Sequence, residues 1–378
     1  MLPVRADQLD SVRTPLERYS HDTGVAFEHT SATLDGRLVH INLRNPRAEK
    51  HLAKVSGSVT LTVDSKVLGK PALWRAVTAL TKLYEVGLIF EKATDEDLKR
   101  IGRLHALRSL SLAASAVTDV GLARLSQLTS LLHLAIGSTK VTDAGMVTVS
   151  KLTSLRRLSL GRLNISDKGM ARLTGLPLEH LMLASTKLGD AGLAHLRCFT
   201  SMRTLDLTSV RFSDIGLAHI GSLKKLEYLD FSWGHVTDKN LHLLAGLTSL
   251  RHLSLFQNSV TGAGLVHLSA LTALDYLNLT TQMVKTVTLE HIGQFRALGT
   301  LDVSWSGISD AGVAYLKPLK ALKRLNMNNT KLTDAALVHL SGLKNLKALD
   351  LYSTKVTDVG VNKLKLALPR CKIAYFSR

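Results

Sequence analysis

The residue types able to do chemistry are sparse in this chain, and their spacing is regular. Five histidines, His195, His219, His267, His291 and His339, recur in the same phase of a repeating segment, which raises the question of a metal column. Packed helices sit about 8–10 Å apart, whereas a zinc-type site needs its ligands about 2.0–2.1 Å from one ion. The spacing therefore predicts solvated histidines on a helical face and no metal site. Asp206 and Asp230 occupy equivalent places in successive segments and would neighbour one another, but stacked carboxylates on a strand face, without a pocket, make a poor acid–base pair. Cys198 and Cys371 stand in no metal or redox spacing and read as packing residues. Nucleophile motifs and phosphate-binding glycine loops are missing. The sequence predicts no catalytic site and no cofactor.

What positions these residues is a repeat. The pattern Leu-x-x-Leu-x-Leu begins at Leu107, Leu131, Leu155, Leu178, Met202, Leu226, Leu250, Leu274, Leu298, Leu322 and Leu346, in steps of 24 residues with one step of 23. A weaker copy at Leu83 brings the array to about twelve units. Each unit opens with alternating buried and exposed positions, as in Leu229-Asp230-Phe231, which predicts a short strand. It continues through Val-Thr-Asp or a variant (Val117-Thr118-Asp119, Val141-Thr142-Asp143, Val356-Thr357-Asp358) into Gly-Leu-x-x-Leu, which suits a short helix. The Ser/Thr-Asp pair falls where an N-cap belongs, with a side-chain oxygen for free amides and a carboxylate at the positive dipole end. The unit from Leu274 departs from this, with Val284-Lys285-Thr286 for Val-Thr-Asp and Thr288 in place of glycine, and predicts a local distortion.

One unit cannot bury its leucines alone, but stacked units share a continuous core. Strands stack about 4.8 Å apart and helices about 8–10 Å, so the stack must curve with strands on the inner wall. The fold class expected is an α/β solenoid: a curved horseshoe with parallel strands on the concave face and short helices on the convex face. Residues 1–35 form an N-terminal extension, 36–82 degenerate capping repeats, 83–368 the repeats, and 369–378 a C-terminal cap strand.

The Val-Thr-Asp-x-Gly-Leu-x-x-Leu segments resemble leucine-rich repeats of the cysteine-containing subclass, found in the substrate-binding part of F-box proteins and in bacterial repeat proteins. Where that repeat places Asn or Cys after the strand, this chain has mostly Thr or Ser (Ser115, Thr139, Thr186, Ser306, Thr330, Thr354), with Asn at Asn258. The resemblance implies protein–protein recognition. It also directs attention to an F-box ahead of the repeats, as in a ubiquitin-ligase adaptor, but Leu9 to Leu34 shows no amphipathic order.

Composition bounds the function classes. With 45% hydrophobic and 21% charged residues the chain can fill a long core. Charges through Met1–Ser20 interrupt any secretory apolar region, and no run of about 18 apolar residues follows; the expectation is a cytoplasmic monomer without a membrane span. The formal net charge is +18, and residues 1–100 hold 15 Lys/Arg against 13 Asp/Glu, so the repeats carry most of it. Lysines and arginines collect at both turns of each unit, which predicts two positive rims and raises nucleic acid, as in a ribonucleoprotein component, as an alternative partner.

Alternation along each strand sends the residues between the leucines to the concave wall. Its early half is small and bland. Its later half gathers Tyr228, His252 and Tyr276 in one column, Asp206, Asp230 and Asp302 in the next, then Phe256, then Trp233 and Trp305. Aromatics with a few charges are the composition of interface hot spots. These nine residues are the expected contact surface for a protein ligand.

Overall fold

A strand that turns back on itself every 24 residues can pair only with the strand of the next unit, and in the same direction. The computed structural model describes residues 39–42, 59–64 and 86–376, apart from Gln282 and Val287. Among them, fifteen parallel strands hydrogen-bond in strict chain order into one open sheet, from Val39–Asn42 to Lys372–Ala374. The register advances by one unit per strand, so Thr204, Tyr228, His252 and Tyr276 lie side by side, as do Asp206 and Asp230. Val39–Asn42 and Val59–Asp64 join this sheet ahead of Val86–Glu91. The helices expected near 46–55 and 72–80, and the extension 1–35, fall outside the described residues.

Behind the sheet runs a single apolar core. In the unit from Leu226, the side chains of Leu226, Leu229, Phe231, Val236, Leu241, Leu244 and Leu247 are all fully buried, and neighbouring units repeat the set. At about 1.5–3 kcal/mol per large apolar side chain, stacking supplies what an isolated unit lacks. The return segments are short: Asp214–Ile220 is α-helical, whereas Leu241–Leu244 and Ala263–Leu268 are 3₁₀ turns.

The Ser/Thr-Asp pair does more than cap. Thr118, Ser166, Ser213 and Thr333 accept a hydrogen bond from the amide two residues on, as N-caps should. The aspartate reaches into the following unit. Asp119 accepts from the Thr142 amide (2.8 Å) and hydroxyl (2.7 Å), and Asp310 binds Thr333 and Asp334 binds Thr357 in the same way. Asp238 accepts four hydrogen bonds, from the amides of Thr261, Gly262 and Gly264 and the Thr261 hydroxyl. Burial alone would raise its pKa, yet these donors outweigh burial and hold it below the ordinary carboxylate value. At the end of the array the Tyr375 hydroxyl takes the threonine's part and donates to Asp358 at 2.7 Å.

This clasp explains the glycine two residues after most of the aspartates; Asn240 and Ala336 stand there after Asp238 and Asp334, and Asn240 donates to Asp214 at 2.8 Å. A Cβ on Gly145 would stand 2.5 Å from Asp119 Oδ1, and one on Gly216 2.5 Å from Asp190 Oδ1. The distortion expected in the unit from Leu274 is instead a compensated pair of changes. Gly262 stands where the preceding unit would carry aspartate, with φ +104°, and the vacated space receives the side chain of Thr288, whose hydroxyl donates to the Thr261 carbonyl at 2.5 Å. Thr286 replaces the next aspartate and accepts the Ser309 amide at 3.0 Å. The helix Thr288–Ile292 forms as elsewhere.

Candidate functional site: the later half of the concave wall

Eleven units leave their strand through one residue with left-handed backbone, at Lys92, Ala114, Ser138, Arg162, Ser185, Ser209, Trp233, Gln257, Trp305, Asn329 and Ser353, with φ between 54° and 59°. Small or amide side chains tolerate that conformation, whereas for an L residue at large it costs about 1–2 kcal/mol. Two tryptophans occupy it, and both are open to solvent: Trp233 is 57% exposed and Trp305 56%. Burial therefore does not account for either. Trp233 meets Phe256 edge-on at 5.4 Å between ring centroids.

The turn carrying Trp233 is held from the following unit. Thr139, Thr186, Thr330 and Thr354 donate to a carbonyl three residues back in their own unit. Asn258 is longer: its Nδ2 donates to the Phe231 carbonyl (2.9 Å) and its Oδ1 accepts the Val236 amide (2.9 Å). It thus brackets the turn 231–236. Asn258→Ala should leave a buried carbonyl and amide unpaired and cost about 2–3 kcal/mol, with Trp233 fluorescence becoming more accessible to quencher. A change within about 0.5 kcal/mol and unaltered quenching would show that Asn258 holds nothing.

Inside this rim runs an aromatic ladder. Tyr228 stacks on His252 (4.1 Å, 15°) and His252 on Tyr276 (3.9 Å, 8°). Alongside, Asp206 Oδ1 accepts the Thr208 amide (2.9 Å) and Asp230 Oδ1 the Ser232 amide (2.7 Å). Asp302 accepts from Ser304, Thr280 and Asn326. Burial, then the neighbouring Asp230 charge, pushes Asp206 up to about 6, and burial raises Asp230. Tyr228 is raised well above its ordinary value, mainly by burial. On the early side His180 is pushed down to about 4 by burial and then by Arg157, His133 and Arg203.

The nine expected contact residues thus fall into three groups. Trp233 and Trp305 are exposed; Phe256, His252, Tyr276 and Asp302 are half-buried; Tyr228, Asp206 and Asp230 are buried, Tyr228 to 1% exposure. Alternation predicts the face a side chain takes but not how far its neighbours cover it. Asn258 is a positioning residue that wall reading misses, although its being the one asparagine of its column is visible in the sequence.

Other expectations divide. The histidine column is half-buried or exposed, with His242 and His267 edge-on at 6.0 Å, and among the described residues no cluster of three or more His, Cys, Asp or Glu could hold a metal. Cys371 is buried, its thiol pushed up to about 11, chiefly by burial. Cys198 is not the packing residue expected: it ends the turn His195–Cys198 facing outward, and Phe199 fills the core in its place. No helix among the described residues is long and apolar enough to cross a membrane.

Comparison with known proteins agrees with this architecture. Leucine-rich-repeat family models match residues 200–260 and 298–317. No curated protein matches significantly. Among solved structures, an internalin of Listeria monocytogenes is similar with TM-score 0.59 and 24% identity over 83% of this chain and 97% of its own. A leucine-rich-repeat protein of Leptospira interrogans follows at 0.57 and 19%, over 88% of this chain and 99% of its own. Mouse RP105, solved in complex with MD-1, gives 0.54 and 17% over 90% of this chain and 56% of the other. At these identities the likeness establishes the fold.

Proposed function

We propose that this chain, a leucine-rich-repeat protein, is a non-catalytic binding module or scaffold that holds a protein ligand on the later half of its concave wall. The observation that carries the reading is the pair of exposed tryptophans kept in left-handed backbone. A residue that costs stability and buries little is retained for something outside the fold, and tryptophan is the residue most enriched at interface hot spots. Phe256, Tyr276 and His252 continue the same surface inward, with Asp302 beside them. Tyr228 is the buried rung of the ladder, and Asp206 and Asp230 lie buried in the neighbouring column. That the structural neighbour RP105 was solved in complex with MD-1 supports a binding role for the fold.

The test compares proteins retained by the wild type and by Trp233→Ala/Trp305→Ala, identified by mass spectrometry. The wild-type set should thin in the variant while melting temperature stays within a few degrees. An unchanged set would remove the tryptophans from the contact surface. A ubiquitin-ligase adaptor role rests on residues 1–82, most of which lie outside the described residues; it predicts recovery of a Skp-like subunit through that segment.

A further inference from the structure

The two rims, both basic in sequence, differ in structure. On the rim where strands end, Lys140, Lys187, Arg211, Lys331 and Lys355 are exposed. Every unit from Asp119 to Asp358 except those with Gly262 and Thr286 also places an aspartate of the clasp there, so the charges of that edge roughly cancel. The rim where strands begin has no such aspartates. Its backbone bonds align one residue per unit into a column: Arg108, Leu132, Arg156, Glu179, Arg203, Glu227, Arg251, Asp275, Gly299, Lys323 and Lys347.

The six members from Arg156 to Asp275 alternate in sign. Arg156 pairs with Glu179 (3.5 Å) and Arg203 with Glu227, as charges facing one another across adjacent strands should. After Gly299 the alternation stops. Lys323 and Lys347 lie directly side by side, the Lys347 amide donating to the Lys323 carbonyl at 2.8 Å, and Arg324 and Lys372 flank the same Ala348 in the next column. Lys320 and Lys344 approach from the preceding turns, each donating to a carbonyl of the next unit. All six are exposed, and among the described residues none is in an ion pair. The edge segments 293–300, 317–324, 341–348 and 365–372 contain no Asp or Glu; Asp350 of the wall stands two residues further along its strand.

Like charges directly opposite on neighbouring strands are destabilising, and this chain arranges the alternative elsewhere in the same column. We propose that the strand-entry edge of the last three units is a second binding site, separate from the aromatic wall, for the phosphodiester backbone of a nucleic acid. The patch is chiefly cations, and its two amides, Asn345 and Gln294, already donate to the Lys320 and Leu265 carbonyls, so it recognises charge spacing and not sequence. Binding releases condensed counterions, and with four phosphates neutralised the logarithm of affinity should fall against that of salt with a slope of about −3.

The experiment measures anisotropy of a labelled, mixed-sequence single-stranded RNA and of a DNA duplex over a salt series, with oligoglutamate as competitor. The two nucleic-acid arms distinguish the single-stranded from the duplex source. Lys323→Glu/Lys347→Glu/Lys372→Glu should weaken binding at least about tenfold and flatten the salt slope by about 2. The control Lys140→Glu/Lys187→Glu/Lys331→Glu, equal in charge, should weaken it far less. Circular dichroism confirms that both remain folded, and lysine-to-glutamine versions repeat the comparison if either does not. Binding to neither nucleic acid at low salt, equal losses in the two variants, or displacement by oligoglutamate as effective as by unlabelled RNA of equal charge would each overturn the proposal.

Discussion

Gly264→Thr is expected to destabilise the array by about 3 kcal/mol or more, and Asp238→Gly in the same chain to restore much of that loss. A Cβ at residue 264 would lie 2.6 Å from the carbonyl oxygen and 2.7 Å from the Cα of Asp238. These are backbone atoms fixed by four hydrogen bonds to the Asp238 carboxylate, so the clash is not relieved by turning a side chain. The pair one unit later shows the alternative arrangement: Gly262 with positive φ, and Thr288 filling the space. Moving that pair back one unit should give a double variant at least about 2 kcal/mol more stable than the sum of the single changes, a coupling of the size found between residues in direct contact. Urea titration of the four proteins measures it. Simple additivity would mean that aspartate and glycine are independent habits of the repeat and that the clasp holds nothing together.

The second large effect concerns pH. Asp206 titrates near 6 in the folded chain against 3.8 as a free side chain, raised by burial and then by the charge of Asp230. The folded state therefore resists its ionisation. Its favourable contribution is complete below about pH 4 and is lost as pH rises through 6, a loss on the order of 3 kcal/mol by pH 7 to 8. Asp230 acts in the same direction. The clasp carboxylates Asp190 and Asp238, held below the ordinary value, act oppositely and lose their contribution as pH falls through their lowered pKa values. Total stability thus mixes both, and the difference between wild type and Asp206→Asn isolates the wall. Asparagine keeps an oxygen for the Thr208 amide, so the variant should match the wild type near pH 4 and exceed it by about 2–3 kcal/mol at pH 7.5. A variant no more stable at pH 7.5, or a difference independent of pH, would show that Asp206 is solvated in the folded protein.

The fold was legible because its causes are local. Leucine spacing sets the strand and return of each unit, and stacking follows from the inability of one unit to close its own core. The clasp was not legible as such, because Asp119 and Thr142 look like separate N-caps until strand register brings them together. Its trace was nonetheless present in the paired departures at Gly262 and Thr288, two irregularities in successive units that make sense only jointly. The site was legible by face and not by depth. Alternation put Tyr228, Asp206 and Asp230 on the wall with Trp233 and Trp305, but cover depends on the size of neighbours in three adjacent strands, which no single segment states. The left-handed backbone under the tryptophans had no signal either, since Ser, Asn, Gln, Ala, Lys and Arg fill that column in other units without marking it.

The central claim is that tryptophan at the strand exit is kept for binding at the expense of the fold. Trp305 tests it most cleanly, having no ring contact among the described residues, whereas Trp233 also packs on Phe256. Asparagine occupies the equivalent place one unit later, at Asn329. Measured on one preparation, Trp305→Asn should raise stability by about 1 kcal/mol while retaining fewer of the proteins that the wild type retains. Lower stability together with undiminished retention would contradict the account.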